Sequence, residues 1–506
     1  MGQAETRPEP SRSERDGLLL AIDIGTTTVR AILFDASGRR VGEARYEPPV
    51  LTPGPYMAEV EPELRYDLAL RAVNDCLQRT GVRPEQVLAI SLSGLQHALV
   101  PIDDHGRVLD NAMLWMDQRC APQAAWMTET YGDLLDRLYG RAHMSTTMSA
   151  PKLRWLVEHR PELVEQARWF LPIKDYVRWR LTGQVATDPG DAGGTGMYDG
   201  RQGDWAGPIL DIVGVSRDKL PPIVPPETVA GGLLAKPAAA MGLLAGTPVV
   251  VGAGDVPATR LGAGTTQNNL TCMYIGTASW IAPPQRRKGR FGSTATTGAA
   301  LKWVVDLLSG RGDEGARSDD YARYLEAAAQ VPVGACGLVF LPHLMGERGP
   351  VSDPLAKGTL FGLTLAHHPA HVVRAVLEGC ALHLRSIYDQ LTDERLPEVV
   401  AVGGGVKSPI WRKIIADATG VALIIPEEIE AGALGVAILA GVGAGVYGSV
   451  ADGVSQAVRY VDRAEPDGLA YEQYGRIYEV YAELEERVSP LYARVPVLQG
   501  DGSCVW

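Results

Sequence analysis

Two short hairpins constrain this chain more than any other feature. The first spans 18–35, LLLAIDIGTTTVRAILFD. An apolar run ends in Asp23, one glycine and three threonines follow, and a second apolar run ends in Asp35. The other, NLTCMYIGTASWIAP, turns at Gly276-Thr277 in the second half. Aliphatic and β-branched flanks form strands, and a small hydroxylated insert suits a tight turn whose backbone approaches something bulky and charged. RRVGEARYE adds a third strand after the first hairpin, making an antiparallel meander. A helix is expected over 61–80, a buried strand over Val87–Gly94 and long amphipathic segments over 121–181. A similar order recurs: a buried strand over 247–255, a short helical piece, the second hairpin, then strand, glycine turn and helix over 397–420. The small-residue stretch 431–445 predicts a helix able to pack very closely. One Gly-Thr hairpin per half implies a duplicated α/β fold with the ligand between the halves. The C-terminal YEQYGRIYEVYAELEERVSPLYARV predicts one amphipathic packing helix, with Tyr471, Tyr474, Ile477, Val480 and Tyr481 near helical spacing.

With 506 residues, the chain exceeds what one hydrophobic core serves, so two domains or more are expected. A net charge of −12 argues against a nucleic acid partner, which needs clustered Lys and Arg. No uninterrupted apolar run reaches membrane-spanning length, and the polar stretch 1–17 lacks the apolar segment of a signal peptide. The six cysteines are scattered without a CxxC pair, the pattern of reduced thiols, so a cytoplasmic protein is expected.

Four constellations carry chemistry. Asp23 ends a strand beside Gly25, Thr26, Thr27 and Thr28; such a turn cradles phosphate oxygens while the carboxylate holds Mg²⁺ or its water, or it is an ordinary hairpin. Walker A is absent. Gly254-Asp255 follows a strand too apolar for the surface; Asp255 is either a general base or the cap of the next helix. Gln96 and His97 end another buried strand, and Trp115, Asp117 and Arg119 follow. Together they form a sugar-binding set, an aromatic ring for C–H faces and bidentate groups for paired hydroxyls. The plainer alternative is a satisfied core histidine and a surface salt bridge. Gly403-Gly404-Gly405 before a helix lets a phosphate or planar group approach the backbone.

These residues resemble the FGGY carbohydrate kinase family, its xylulose-phosphorylating members most closely, from Leu18 to about Gly445. DIGTTTVRAILFD resembles the first phosphate motif, SGLQHA the sugar-binding strand end and LWMDQR the substrate loop. KLRWLVEH and IKDYVRWRLTGQVATDPGDAGGT resemble the stretches that follow. The segment 340–379 contains a second signature in full, G-x-L-x-G-L, seven residues, then H-V-x-x-A-V-L-E-G. GGGVKSPIWRKIIADATG resembles the adenosine motif.

The resemblance implies an actin-like ATPase fold, two ribonuclease-H-like domains around a central cleft. The polar stretch 1–17 is expected as a disordered tail and 461–506 as a C-terminal helix and tail; between them the resemblance implies an N-terminal domain at 18–258 and a C-terminal nucleotide domain at 259–460. It implies an ATP- and Mg²⁺-dependent kinase, with a homodimer by analogy. Asp255 would take the proton from a primary sugar hydroxyl and Asp23 would organise Mg²⁺. Thr26, Thr27, Gly276 and Thr277 would contact phosphates. Gly404, Gly405 and Ser408 would line the adenosine pocket, and Gln96, His97, Trp115 and Asp117 would hold the sugar. D-xylulose is the expected acceptor. The chain departs from the pattern at Val256, Ala98 and Thr147. The first two changes lie near the substrate and keep ribulose, a polyol or gluconate as alternatives. A sugar-responsive ATP-binding regulator without turnover is the reading from another class; retention of both Asp23 and Asp255 favours catalysis.

Overall fold

The computed structural model describes residues 17–54, 56–284, 291–312, 315–347, 353, 355–391, 396–495, 497–498 and 504–505. The tail expected at 1–17 lies outside them save Gly17. The chain forms two compact units. One joins the chain up to Gly264 with Ala431–Val458; the other joins Thr265–Glu430 with the chain from Arg459 onward.

The first unit is built on a six-stranded sheet. Its strands are β1 (Leu18–Ile24), β2 (Val29–Asp35), β3 (Arg40–Tyr46), β4 (Val87–Gly94), β5 (Val229–Gly232) and β6 (Pro248–Gly254). Their spatial order is β5-β6-β4-β1-β2-β3. The meander β1-β2-β3 is antiparallel, β1, β4 and β6 run parallel, and β5 closes the edge antiparallel. Both faces are covered, which is why β1 reads as a continuous apolar run. Leu18, Leu20 and Ile22 pack with the helices Pro62–Thr80 and Ile173–Thr182, while Leu19 and Ala21 face the helices Asp255–Gly262 and Ala431–Gly443.

The second unit repeats the design. Its strands are β7 (Cys272–Ile275), β8 (Ser279–Ala282), β9 (Gly292–Thr294), β10 (Glu398–Val402), β11 (Ala422–Pro426) and β12 (Tyr460–Ala464). They lie in the order β9-β8-β7-β10-β11-β12. Again an antiparallel meander is extended by two parallel strands and one antiparallel edge strand. The duplication expected from two Gly-Thr hairpins is therefore present strand for strand. The helices Pro369–Leu391, Pro409–Thr419 and Gly298–Ser309 supply the main core. The C-terminal helix Gly468–Val488 buries Tyr474 and Tyr481 there, whereas Val480 is exposed and lies off the packed face.

The expected boundaries at 258 and 460 follow chain order, and the compact units do not. The helix Ala431–Gly443 packs on β1, β4, β6 and the helix Asp255–Gly262. Two glycines permit this approach. A β-carbon on Gly262 would lie 1.9 Å from the Ala431 carbonyl oxygen, and one on Gly435 would lie 2.0 Å from that of Ala258. The two helix backbones touch, as the small-residue composition implied.

Candidate active site

In the first unit the register brings three strand ends to one level. Ile24 pairs with Gly94, and Gly94 pairs with Gly254. The segments leaving these ends carry Gly25–Thr28, Gln96-His97 and Asp255. The carboxyl ends of parallel strands are where open α/β sheets bind ligands. Strand alternation fixes the direction of Asp23: it shares the face of Leu19 and Ala21, the side on which the Asp255 helix packs. β6 reaches this level through a bulge. Gly252 has φ of +79° and a β-carbon there would meet the Leu92 oxygen at 2.0 Å, so only glycine fits.

Asp255 is the first residue of its helix, and its Oδ1 accepts the Val256 N–H at 2.8 Å. The capping alternative is thus partly realised by its own next residue. Asp255 is half-buried, and the protein packed around it pushes its carboxyl up to about 7. The negative charge of Asp23 adds to the rise, and the Val256 N–H opposes it. A carboxyl with this proton affinity is suited to accept a proton near neutral pH.

The turn Gly25–Thr28 is closed by the Gly25 N–H on the Thr28 carbonyl, 2.8 Å. Two neighbours hold it. The Trp115 indole N–H donates to the Thr26 hydroxyl at 3.1 Å, and buried Arg65 donates to the Thr26 carbonyl at 3.0 Å. Trp115, expected beside the sugar, is therefore also tied to the phosphate-type turn. Gln96 donates to the Gly190 carbonyl at 2.9 Å, and His97 Nδ1 lies 2.6 Å from the Gly194 carbonyl. His97 has φ of +72°, a strained conformation for a residue with a side chain. The Ser149 hydroxyl and the Lys152 ammonium hold its carbonyl at 3.1 and 3.2 Å.

Asp117 differs from expectation. It is fully buried, and its oxygens accept from Arg119 and from the Ala58 N–H at 2.7–3.0 Å. Arg119 also pairs with Glu59 at 2.6 Å. Asp117 is thus an internal anchor for the segment that carries Trp115. The salt bridge left open as the plainer reading is present, and it is internal.

In the second unit β7 and β10 are parallel neighbours, Tyr274 opposite Val402. Their ends lead into Gly276-Thr277 and Gly403-Gly404-Gly405. A β-carbon on Gly405 would lie 2.3 Å from Ile275 Cγ2, so the two turns are in contact. Around Gly404 there is open space. The Gly276 and Thr277 carbonyls accept N–H groups from Thr297, Gly298 and Ala299 at 2.8–3.1 Å, and the exposed Thr277 side chain stays at the surface. The Ser408 hydroxyl caps the helix Pro409–Thr419 through the Trp411 N–H, 3.4 Å. The four glycine and threonine positions come together; Ser408 is occupied as a helix cap.

Two buried cations were given no role from sequence. Lys174 lies 2.7, 3.0 and 3.1 Å from Asp175, Asp188 and Asp191. Burial opposes its charge and the three carboxylates outweigh burial, so it stays charged beyond the ordinary lysine range. Burial pushes Asp191 well above the usual carboxylate range. Asp188 caps the short helix Pro189–Gly194, whose carbonyls hold Gln96 and His97. Lys174 stands at one remove from those side chains. Burial pushes Lys152 down to about 8, with Cys120 and Asp117 pulling the other way. The signal in each case is a lysine placed among apolar residues of an amphipathic stretch.

Two sheets of this order, each with a Gly-Thr turn and one with paired carboxylates at its strand ends, define the actin-like ATPase fold. Residues 18–262 match the N-terminal domain of the FGGY family of carbohydrate kinases, and residues 283–444 match its C-terminal domain. The chain is 31% identical to a xylulose kinase of Bacillus subtilis (strain 168), covering 92% of this chain and 96% of that protein. It is 29% identical to a gluconokinase of Bacillus licheniformis, covering 94% and 97%. A solved xylulose kinase from Rhodospirillum rubrum superposes with a TM-score of 0.77 at 29% identity, covering 94% of this chain and all of that one. The chain belongs to the FGGY family of carbohydrate kinases: it is a sugar kinase, a phosphotransferase with ATP as phosphate donor. No helix among the described residues is long and apolar enough to cross a membrane.

Proposed function

We propose that this kinase phosphorylates the primary hydroxyl of a ketopentose, D-xylulose to D-xylulose 5-phosphate. The observation that carries the mechanism is Asp255, a carboxyl of raised proton affinity at a strand end beside Asp23. The sugar hydroxyl attacks the γ-phosphorus and its proton passes to Asp255. The new O–P bond forms as the bond from the γ-phosphorus to the bridging oxygen breaks, and ADP leaves with that oxygen. Transfer of this kind needs mainly positioning and charge neutralisation. Gln96, His97 and Trp115 orient the sugar, Thr26 and Thr27 meet phosphate oxygens, and Asp117 holds the substrate loop through Arg119. Gly276 and Thr277 serve the phosphates, and Gly404, Gly405 and the Ser408 turn serve the nucleoside.

The donor set fits Mg²⁺: the Asp23 carboxylate and threonine oxygens are hard ligands, and the mutual repulsion of Asp23 and Asp255 is what a cation relieves. Asp23 would hold Mg²⁺, which when bound neutralises phosphate charge.

Gluconate is the second reading. Val256 follows the base and offers no side-chain hydrogen bond to a sugar hydroxyl, and the gluconokinase relative is similar over nearly its whole length. A coupled ADP-release assay with Mg-ATP decides, using D-xylulose, L- and D-ribulose, xylitol, D-arabinitol, glycerol and gluconate. A dominant kcat/KM for D-xylulose is expected; preference for gluconate moves the substrate and keeps the mechanism. Asp255→Ala should lose at least about a thousandfold in kcat while retaining ATP binding. Near-normal turnover in that variant would overturn the base assignment.

A further inference from the structure

A second cluster of titratable groups lies wholly within the second unit, among residues given no part in phosphoryl transfer. His343 follows a short strand, Val339–Leu341; His383 sits on the helix Pro369–Leu391; Tyr481 and Glu485 lie one turn apart on the helix Gly468–Val488. Both histidines are buried, and Glu485 is about one-third exposed.

One carboxylate lies against both rings and hydrogen-bonds that of His343. Glu347 Oε2 lies 3.1 Å from His343 Nδ1 and 3.0 Å from His383 Nε2, and accepts the Thr294 hydroxyl at 3.1 Å. A carboxylate oxygen only accepts, so His343 Nδ1, which hydrogen-bonds it, carries a proton; His383 Nε2 lies close to it without a hydrogen bond. In a neutral imidazole the lone pair of His343 then stands on Nε2, and His383 Nδ1 is placed to accept from the Tyr481 hydroxyl. Both of these face the C-terminal helix. His343 Nε2 is 3.0 Å from Glu485 Oε1, and His383 Nδ1 is 3.2 Å from the Tyr481 hydroxyl. Tyr481 can donate to its neighbour. Glu485 cannot, and a carboxylate oxygen beside a nitrogen lone pair at this distance requires a positive species between them. A proton would serve, and so would a metal ion.

We propose that His343, His383 and Glu485 form a binding site for a divalent transition metal, Zn²⁺ in preference, with Tyr481 or a water in the fourth position. The ligand atoms of the three residues all lie within 4.8 Å of one another. Ligands of a tetrahedral Zn²⁺ centre at about 2.0–2.1 Å stand roughly 3.3 Å apart, so small side-chain adjustments close the site. Two imidazoles with a carboxylate suit Zn²⁺, Co²⁺ or Ni²⁺ over the hard Mg²⁺. Behind His343, Glu347 supplies the carboxylate–histidine pairing usual for metal-bound imidazoles. The exposed edge of Glu485 gives the ion an entry. The bound ion would fasten the C-terminal helix to the long helix and to the loop after Val339–Leu341.

The test uses the full chain without an affinity tag, stripped with EDTA and dialysed against excess Mg²⁺ to fill hard-ligand sites. Zn²⁺ or Co²⁺ is then added, the protein is desalted and metal content is measured, with the visible spectrum of the Co²⁺ form. About one retained equivalent is expected, with a rise in the thermal midpoint. His383→Gln should lose the equivalent. Glu485→Gln, at a partly exposed position that leaves the core intact, should weaken binding at least tenfold and abolish the thermal shift. No retained metal in the parent protein, or unchanged stoichiometry and affinity in Glu485→Gln, would mean that the cluster holds protons only and would overturn the proposal.

Discussion

Asp255 makes pH a direct probe of the site. Its carboxyl titrates near 7 in the folded chain and near 3.9 when unfolded. A raised value means that the stability contributed by protonation is complete below the unfolded value and is lost as pH rises through the folded one. Asp255→Asn removes that loss. The variant should therefore gain stability over the parent between pH 5 and pH 8, on the order of 2 kcal/mol after allowing for partial exposure; urea unfolding at the two pH values measures it. In the parent, kcat/KM should fall as pH drops below about 7, because a protonated Asp255 cannot accept the sugar proton. Lys152 offers a different test at this scale. Its ammonium fastens the carbonyl of the strained His97. Lys152→Met should raise KM for the sugar several-fold with a smaller change in kcat, while KM for ATP stays the same; an equal rise in both would detach Lys152 from the sugar residues. The placement of Asp23 and Asp255 at the ends of buried strands was legible in the sequence, because each closes an apolar run. The partners of Asp117 were not, because a salt bridge two residues long looks alike on a surface and in a core.

At the scale of elements, the crossing of the helices Asp255–Gly262 and Ala431–Gly443 is the most exacting contact. Gly435→Ala puts a methyl 2.0 Å from the Ala258 carbonyl. Overpacking costs about 1–3 kcal/mol and exceeds the helix-propensity gain of about 1 kcal/mol. We expect a lower thermal midpoint and reduced kcat, since the helix that must move carries Asp255. Gly475→Ala, where the position opens on free space, should be neutral or stabilising. Equal effects of the two substitutions would refute the close crossing. Strands and their turns followed the sequence closely here: β2 and β4 match the apolar runs residue for residue and β1 runs one residue past Asp23, because period-two patterning and Gly-Thr turns are local signals. The bulge at Gly252 was not visible, since nothing in VVVGAGD distinguishes a bulged glycine from one that permits close packing.

For the molecule as a whole, sequence order and spatial order part company. The family resemblance gave the duplicated architecture correctly, but it divided the chain serially, and no local pattern reveals that 431–458 returns to the first unit. The core around Leu19, Ala21, Ala89 and Val250 is completed by Leu434, Ile438, Tyr447 and Val454. A fragment ending at Gly264 should therefore lack cooperative unfolding, whereas the same fragment joined to 431–458 by a flexible linker should regain it; circular dichroism in urea distinguishes them. The same return has a cost during biosynthesis. At about 5–20 residues per second, roughly 10–40 s pass between the emergence of Gly264 from the ribosome and that of Val458. Through that interval one face of the first sheet waits only partly covered while 265–430 of the second unit is translated. The nascent chain thus presents its stickiest surface at a predictable moment, when a holdase chaperone has the most to shield.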